Sequence, residues 1–157
     1  MTWKSTELAL QSDQRFAVIA SRFNESVVAH LIAGSLQAFA EQGIKQEALR
    51  IIRVPGAWEI PLAAQQLAKT NTTAGIVTLG AIIRGGTPHF EFVLDGLCAG
   101  LMQVMLETQV PISSGVLTTN TTEEAMARAG GEHGNKGYDA AMSLLEMSSV
   151  LRGVTEP

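Results

Sequence analysis

The segment Gly80-Ala-Ile-Ile-Arg-Gly-Gly-Thr-Pro-His89 leads from an aliphatic stretch into the front of a long apolar one. The first N–H groups of a helix have no partner within it, and its dipole favours negative charge there. Gly85 and Gly86 let backbone approach a ligand closely, and Thr87 adds a hydroxyl donor, so a small phosphate suits this turn. No Gly-Lys-Ser/Thr follows, which argues against a nucleoside triphosphate. An ordinary glycine-bearing turn between strand and helix accounts for the pattern equally well. His89, at the helix start, offers an imidazole able to accept or donate a proton near neutral pH, or a ring that only caps or packs. His30 and His133 have no such setting and read as bystanders.

Four other places hold residue types with chemical use. In Val54-Pro-Gly-Ala-Trp-Glu-Ile-Pro61, prolines on either side fix the path of the chain around Trp58 and Glu59. The Glu59 carboxylate can take hydrogen bonds from substrate hydroxyls, or it can be an acid that favours a helix N-terminus. Phe23-Asn24 presents an aromatic face on which a planar ring could stack, unless Phe23 packs on its own helix. Arg128, late in an amphipathic segment, can hold a phosphate with two parallel N–H bonds, although a solvated arginine reads the same way. Lys136 in Gly134-Asn-Lys-Gly137 is open to the same two readings.

These residues need elements to hold them. Arg15–Ser21, Leu49–Val54, Ala74–Gly80 and Ile112–Thr118 read as short buried strands. Between them, Ser26–Gln42 repeats apolar residues at three-to-four spacing and ends at Gly43, and Ile60–Lys69 carries Pro61 in its first turn. A long helix, apolar nearly all round and therefore expected to be buried, follows Pro88 to about Glu107. Glu123–Ala129 is a further helix with acids at its positive end, although Thr122 and Ala125 do not make a full capping box. A glycine-marked break leads into a last helix from about Tyr138 to Leu151. Strands and helices in alternation predict an α/β three-layer sandwich around a roughly four-stranded parallel sheet. In such a sheet, ligands lie beyond the carboxyl ends of the strands, where every motif above falls.

The 157 residues fit a single domain, and 46% apolar against 17% charged excludes a disordered chain. A net charge of −4 with no Lys/Arg block argues against nucleic acid and anionic membrane surfaces. Glu91, Asp95 and Gln103 interrupt the most apolar stretch, so no transmembrane helix is predicted, and Met1–Gln14 lacks the pattern of a secretory signal. A cytoplasmic protein is expected. Cys98 has no partner thiol and reads as a small core residue.

Taken together, Arg22-Phe-Asn24, Val54–Pro61, Gly80–Val93, Leu117-Thr-Thr119, Ala127-Arg-Ala-Gly130 and Gly134–Gly137 resemble, in order and spacing, the motifs of the lumazine synthase family. The resemblance runs from about residue 15 to 151 and implies a flavodoxin-like fold. It also implies condensation of 5-amino-6-ribitylamino-uracil with 3,4-dihydroxy-2-butanone 4-phosphate to 6,7-dimethyl-8-ribityllumazine, without cofactor or metal. By position, Phe23 would stack on the pyrimidine, with Asn24 a secondary candidate beside it. Ala57, Trp58 and Glu59 would hold the uracil and ribityl chain, and Ala81, Ile82 and Ile83 would line the same pocket through backbone groups. Gly86, Thr87 and Arg128 would bind the phosphate, His89 would move protons, and Lys136 would stand farther out.

Ser114 departs from the pattern, because the family more often has a bulky aromatic at that position beside the uracil. The resemblance further implies homopentamers whose sites lie between subunits, with Ser114 and Arg128 supplied by the neighbour of the subunit that supplies His89. Twelve pentamers closing into an icosahedral shell are favoured, since no insertion follows Arg128 and no proline redirects the N-terminus. Residues 1–14 are expected to form an extension packed on a neighbouring subunit, and riboflavin synthase is admitted as a protein partner. Two other functions fit parts of the pattern: a non-catalytic flavin or pteridine binder, with no use for His89, and a structural shell subunit with a vestigial site.

Overall fold

Along β1 (Phe16–Ser21), Phe16, Val18 and Ala20 alternate with Ala17 and Ile19, and both sets are buried. A strand without a polar face is stable only when covered on both sides. The computed structural model, which describes residues 8–155, places β1 in the interior of a wholly parallel sheet. Its neighbours are β2 (Leu49–Val54) and β3 (Gly75–Ile83), and β4 (Ile112–Thr119) pairs with β3, giving the order β2-β1-β3-β4. Helices α1 (Glu25–Glu41), α4 (Thr122–Arg128) and α5 (Lys136–Thr155) cover one face, and α2 (Ile60–Ala68) and α3 (His89–Thr108) cover the other. This is the three-layer α/β arrangement that the alternation of elements predicts.

Each face has its own core. Phe16, Val18, Val77 and Leu79 meet Leu31, Phe39, Leu144 and Leu145 on the first, where the rings of Phe16 and Phe39 lie 5.7 Å apart. Ala17, Ile19 and Ile76 meet Ile60, Leu67, Leu97 and Leu101 on the second. The first core depends on close approach of α1 and α5. A Cβ on Gly137 would stand 2.0 Å from the backbone oxygen of Leu31, so only glycine fits there.

Several expectations need correction. β3 runs three residues past Gly80, because Ala81, Ile82 and Ile83 pair with Leu117, Thr118 and Thr119 and so extend the strand to the start of the loop. The cap of α4 is Thr121, whose hydroxyl accepts the N–H of Glu124 at 3.1 Å, while Glu124 takes the N–H of Asn120 at 2.9 Å. The glycine-marked break is a small antiparallel hairpin, β5 (Ala129–Gly131) and β6 (Gly134–Asn135), with Gly130 and Gly134 at positive φ. It delivers the Asn135 side chain to the front of α5, where Oδ1 accepts from Gly137 and Tyr138 N–H, and the helix therefore starts at Lys136 rather than Tyr138.

The long helix α3 is not buried all round. Phe90, Leu97, Leu101 and Val104 form one stripe against the sheet, whereas Phe92, Met102 and Leu106 face outward. Cys98 is likewise exposed rather than a core residue, since it lies off that stripe. By length and composition alone, α3 is long and apolar enough to cross a membrane, yet its inner stripe is committed to the sheet. Residues 1–7 of the predicted extension lie outside the described residues. Beyond them, the chain rests on α5 of its own subunit: Ala9 N–H donates to Ser149 at 3.2 Å, and Leu8 and Leu10 pack on the first core.

Candidate functional site

β1 ends at Ser21 while its neighbour β3 continues to Ile83, so the last residues of β3 have a sheet partner on only one side. The chain leaving β1 is held back from that edge. Arg22 and Phe23 N–H donate to the carbonyls of Val54 and Pro55 at 2.8 and 3.1 Å, and Asn24 adopts the left-handed conformation at φ 60°. Asn24 Nδ2 donates to the Ala81 carbonyl at 2.7 Å, while its own carbonyl takes the N–H groups of Val27 and Val28 in the first turn of α1. Arg53, paired with Glu25 and donating to the Ser21 carbonyl at 3.1 Å, fastens the same corner. The Arg53 hydrogen bond also holds the Glu25 carboxyl below its ordinary pKa.

A cavity of about 560 Å³ opens along this edge, at the point where the strand order reverses between β1 and β3. Phe23, Asn24, Ala57, Trp58, Glu59, Ala81, Ile82, Ile83, Thr87 and His89 all line it. Phe23 is 72% exposed and does not pack on its own helix, so its ring is free to take a planar partner. Trp58 and Glu59 belong to a short 3-10 turn, Ala57–Glu59, set up by the extended backbone of Gly56. Glu59 Oε2 accepts the Gly56 N–H at 2.8 Å, which is the capping use of this acid. Oε1 takes no hydrogen bond from the described residues.

Residues missed by the sequence reading also stand here. Phe90, Phe92 and Val93 line the cavity, and Phe92 lies flat on Trp58 with ring centroids 4.6 Å apart. Spacing along α3 was the available signal, since Phe92 lies one turn beyond His89 on the same side. Behind Phe90 stands Arg84: its guanidinium lies 4.2 Å from the Phe90 ring centre, donates to Asn120 at 3.0 Å and pairs with Glu91. That hydrogen bond keeps the Glu91 carboxyl below its ordinary pKa.

At the front of α3, Pro88 provides no side-chain cap, and the His89 N–H reaches Thr87 Oγ1 only at 3.5 Å. Backbone donors, the Thr87 hydroxyl and an exposed imidazole thus converge beside a glycine turn where a Cβ on Gly85 or Gly86 would meet nothing. The arrangement can hold a planar polar ring against β3, an anion at the helix front, and a proton carrier between them.

Gly86 stands in the turn between the lining residues Gly85 and Thr87 without lining the cavity itself, and three other predicted residues stand apart within the chain. Arg128 donates to the Glu124 carbonyl at 2.9 Å, at the end of α4. Ser114, on β4, lines a separate hollow with Cys98, Leu101, Met102 and Met105. Lys136 pairs with Asp139 at 2.8 Å. Among the described residues, no group of three or more His, Cys, Asp or Glu is placed to hold a metal ion.

The family model described as 6,7-dimethyl-8-ribityllumazine synthase matches residues 13–152. Proteins of that name from Xanthomonas euvesicatoria pv. vesicatoria (strain 85-10) and Xanthomonas oryzae pv. oryzae (strain PXO99A) are each 48% identical over 137 residues, covering 87% of this chain and 89% of theirs. Among solved structures, a GDP-L-fucose synthetase from Naegleria fowleri bound to NADP aligns with a TM-score of 0.48 and 12% identity, over 98% of this chain and 49% of its own, a likeness too slight to bear on function.

Proposed function

The chain belongs to the 6,7-dimethyl-8-ribityllumazine synthase family, and we infer from this that it condenses 5-amino-6-ribitylamino-uracil with 3,4-dihydroxy-2-butanone 4-phosphate to form 6,7-dimethyl-8-ribityllumazine in riboflavin biosynthesis. The observation that carries the assignment of this site is the meeting, in one cavity, of Phe23 and Trp58, the free edge of β3, and His89 at the uncapped front of α3.

The uracil would stack on Phe23 with its polar edge against the backbone of Ala81, Ile82 and Ile83, and the ribityl hydroxyls would reach Glu59 Oε1. The phosphate of the ketone would lie at Gly86, Thr87 and the first N–H groups of α3. An imidazole next to it can shuttle protons as the amine adds to the ketone, water leaves and phosphate departs. These steps need register and proton transfer rather than an electron carrier. Asn24 donates one amide N–H to Ala81 and so shapes the edge, while its Oδ1 keeps it a secondary candidate for holding substrate.

A complete site then needs a second copy of the chain. Arg128 would come from the neighbour to clamp the phosphate, and Ser114 to cover the uracil from a position where the small side chain leaves room. The outward apolar face of α3, with Met102 and Leu106 exposed, supports a homopentamer around that helix. Twelve such pentamers in an icosahedral shell, a cytoplasmic location and contact with riboflavin synthase complete the proposal. Native mass measurement should give a multiple of five chains.

The direct test is to mix purified protein with both substrates and follow the fluorescent lumazine. A binding module or an empty scaffold would leave only the uncatalysed rate. Arg128→Ala should raise KM for the keto-phosphate by about 10- to 100-fold, the loss of a charge-assisted pair, with little change for the uracil; equal losses for both substrates would contradict the assignment. Gly96→Ala makes the complementary test. A Cβ there would stand 2.1 Å from Trp58 Cζ3, and the half-exposed indole would have to leave its place. KM for the uracil should rise about 3- to 10-fold, the worth of one aromatic contact, while that for the keto-phosphate stays put.

A further inference from the structure

A proton-carrying histidine is ordinarily aimed by a polar partner on its second ring nitrogen. His89 has none: among the described residues, neither ring nitrogen makes a hydrogen bond, and only its backbone N–H approaches Thr87. What lies beside the imidazole is Phe92, its ring centre 6.2 Å away and its plane turned by 24°. Phe92 is held in turn by Trp58, stacked on it at 4.6 Å and 14°. Trp58 is seated against Gly96, where an added Cβ would displace the indole. His89, Phe92 and Gly96 occupy positions i, i+3 and i+7 of α3 and share one face of the helix. The ladder of rings therefore starts and ends on the same rigid element. Within one subunit Phe92 is 60% exposed and belongs to neither core.

We propose that Phe92 is a positioning residue, whose ring, braced by Trp58 and Gly96, sets the plane in which the His89 imidazole faces the cavity. The inference rests on His89 being the proton carrier of the proposed reaction. The stack takes the place of a hydrogen-bonded partner, and it leaves both ring nitrogens open to reactants.

Phe92→Leu keeps bulk and removes the ring, whereas Phe92→Tyr keeps the ring. Phe92→Leu should lower kcat by about 3- to 10-fold, in line with one aromatic pair, and Phe92→Tyr should restore it. In a His89→Ala background, the Phe92→Leu change should move kcat by less than about 2-fold, because its effect passes through the imidazole. An equal loss in both backgrounds would overturn the proposal. Crystal structures of the wild type, Phe92→Leu and Phe92→Tyr read the same point without turnover. The imidazole should leave its wild-type orientation in Phe92→Leu alone, and an unmoved ring in that variant would refute the role. If the wild type forms no lumazine, the reaction assignment fails, while the crystal structures still decide what orients His89.

Discussion

His89→Ala should cut turnover by about 10²- to 10⁴-fold with little change in the affinity for either substrate. The expectation comes from where the side chain stands. It is exposed in the cavity, at the front of α3, and contributes to neither core, so its removal leaves the fold intact. The remaining site still offers Phe23, Trp58 and the β3 edge to one substrate and the backbone donors of the glycine turn to the other. What disappears is the group that can carry a proton between them, and the loss should fall on kcat rather than KM. Steady-state kinetics with each substrate varied in turn would check this. A His89→Ala protein with wild-type kcat would remove the imidazole from the mechanism.

Gly137→Ala should be the most damaging small change outside the site. The added methyl would lie 2.0 Å from a backbone oxygen of α1, and a backbone cannot rotate away as a side chain can. Either α5 lifts from α1, opening the core around Leu31 and Leu144, or its first turn unwinds and the Asn135 cap is lost. We expect a loss at the upper end of the range for overpacking, about 3 kcal/mol, which corresponds to a Tm lower by roughly 6–12 °C for a chain of this size. Gly153→Ala is the control within the same helix. Nothing lies within 4 Å of that position, and alanine is the better helix former, so Tm should hold or rise slightly. Similar losses in both variants would mean that helix propensity, not the contact with α1, sets the outcome.

The fold was legible wherever pattern and boundary agreed. Leu49–Val54 is bounded by a turn on one side and Pro55-Gly56 on the other, and it forms a strand over those residues. The start of α5 was not legible, because its cap arrives from a two-stranded hairpin that no periodicity marks. α3 was misread for a different reason. An all-round apolar helix announces that its surface will be covered, but it does not say by what, and within one chain half of it faces outward. Cys98 followed the same error. Around the cavity, Phe23, Trp58, Glu59, Thr87 and His89 are legible because strand ends are where such sheets place ligands, whereas Ala81, Ile82 and Ile83 follow only from the family resemblance. Phe92 escaped notice, since a phenylalanine in an apolar helix looks like packing until its exposure is known. Arg128 and Ser114 lie elsewhere in the chain, and nothing in their own spacing separates a residue that serves a neighbour from one that serves none.

β3 outlasts β1 at the margin of the sheet. A ring recognised along that margin is read by peptide groups, which every amino acid supplies alike. Residues 81 to 83 would then be free to vary with the demands of the interior, and selectivity for the polar rim of the ring would be inherited through the lengths of two adjacent strands, leaving Phe23 and Glu59 to act on its face and its side chain.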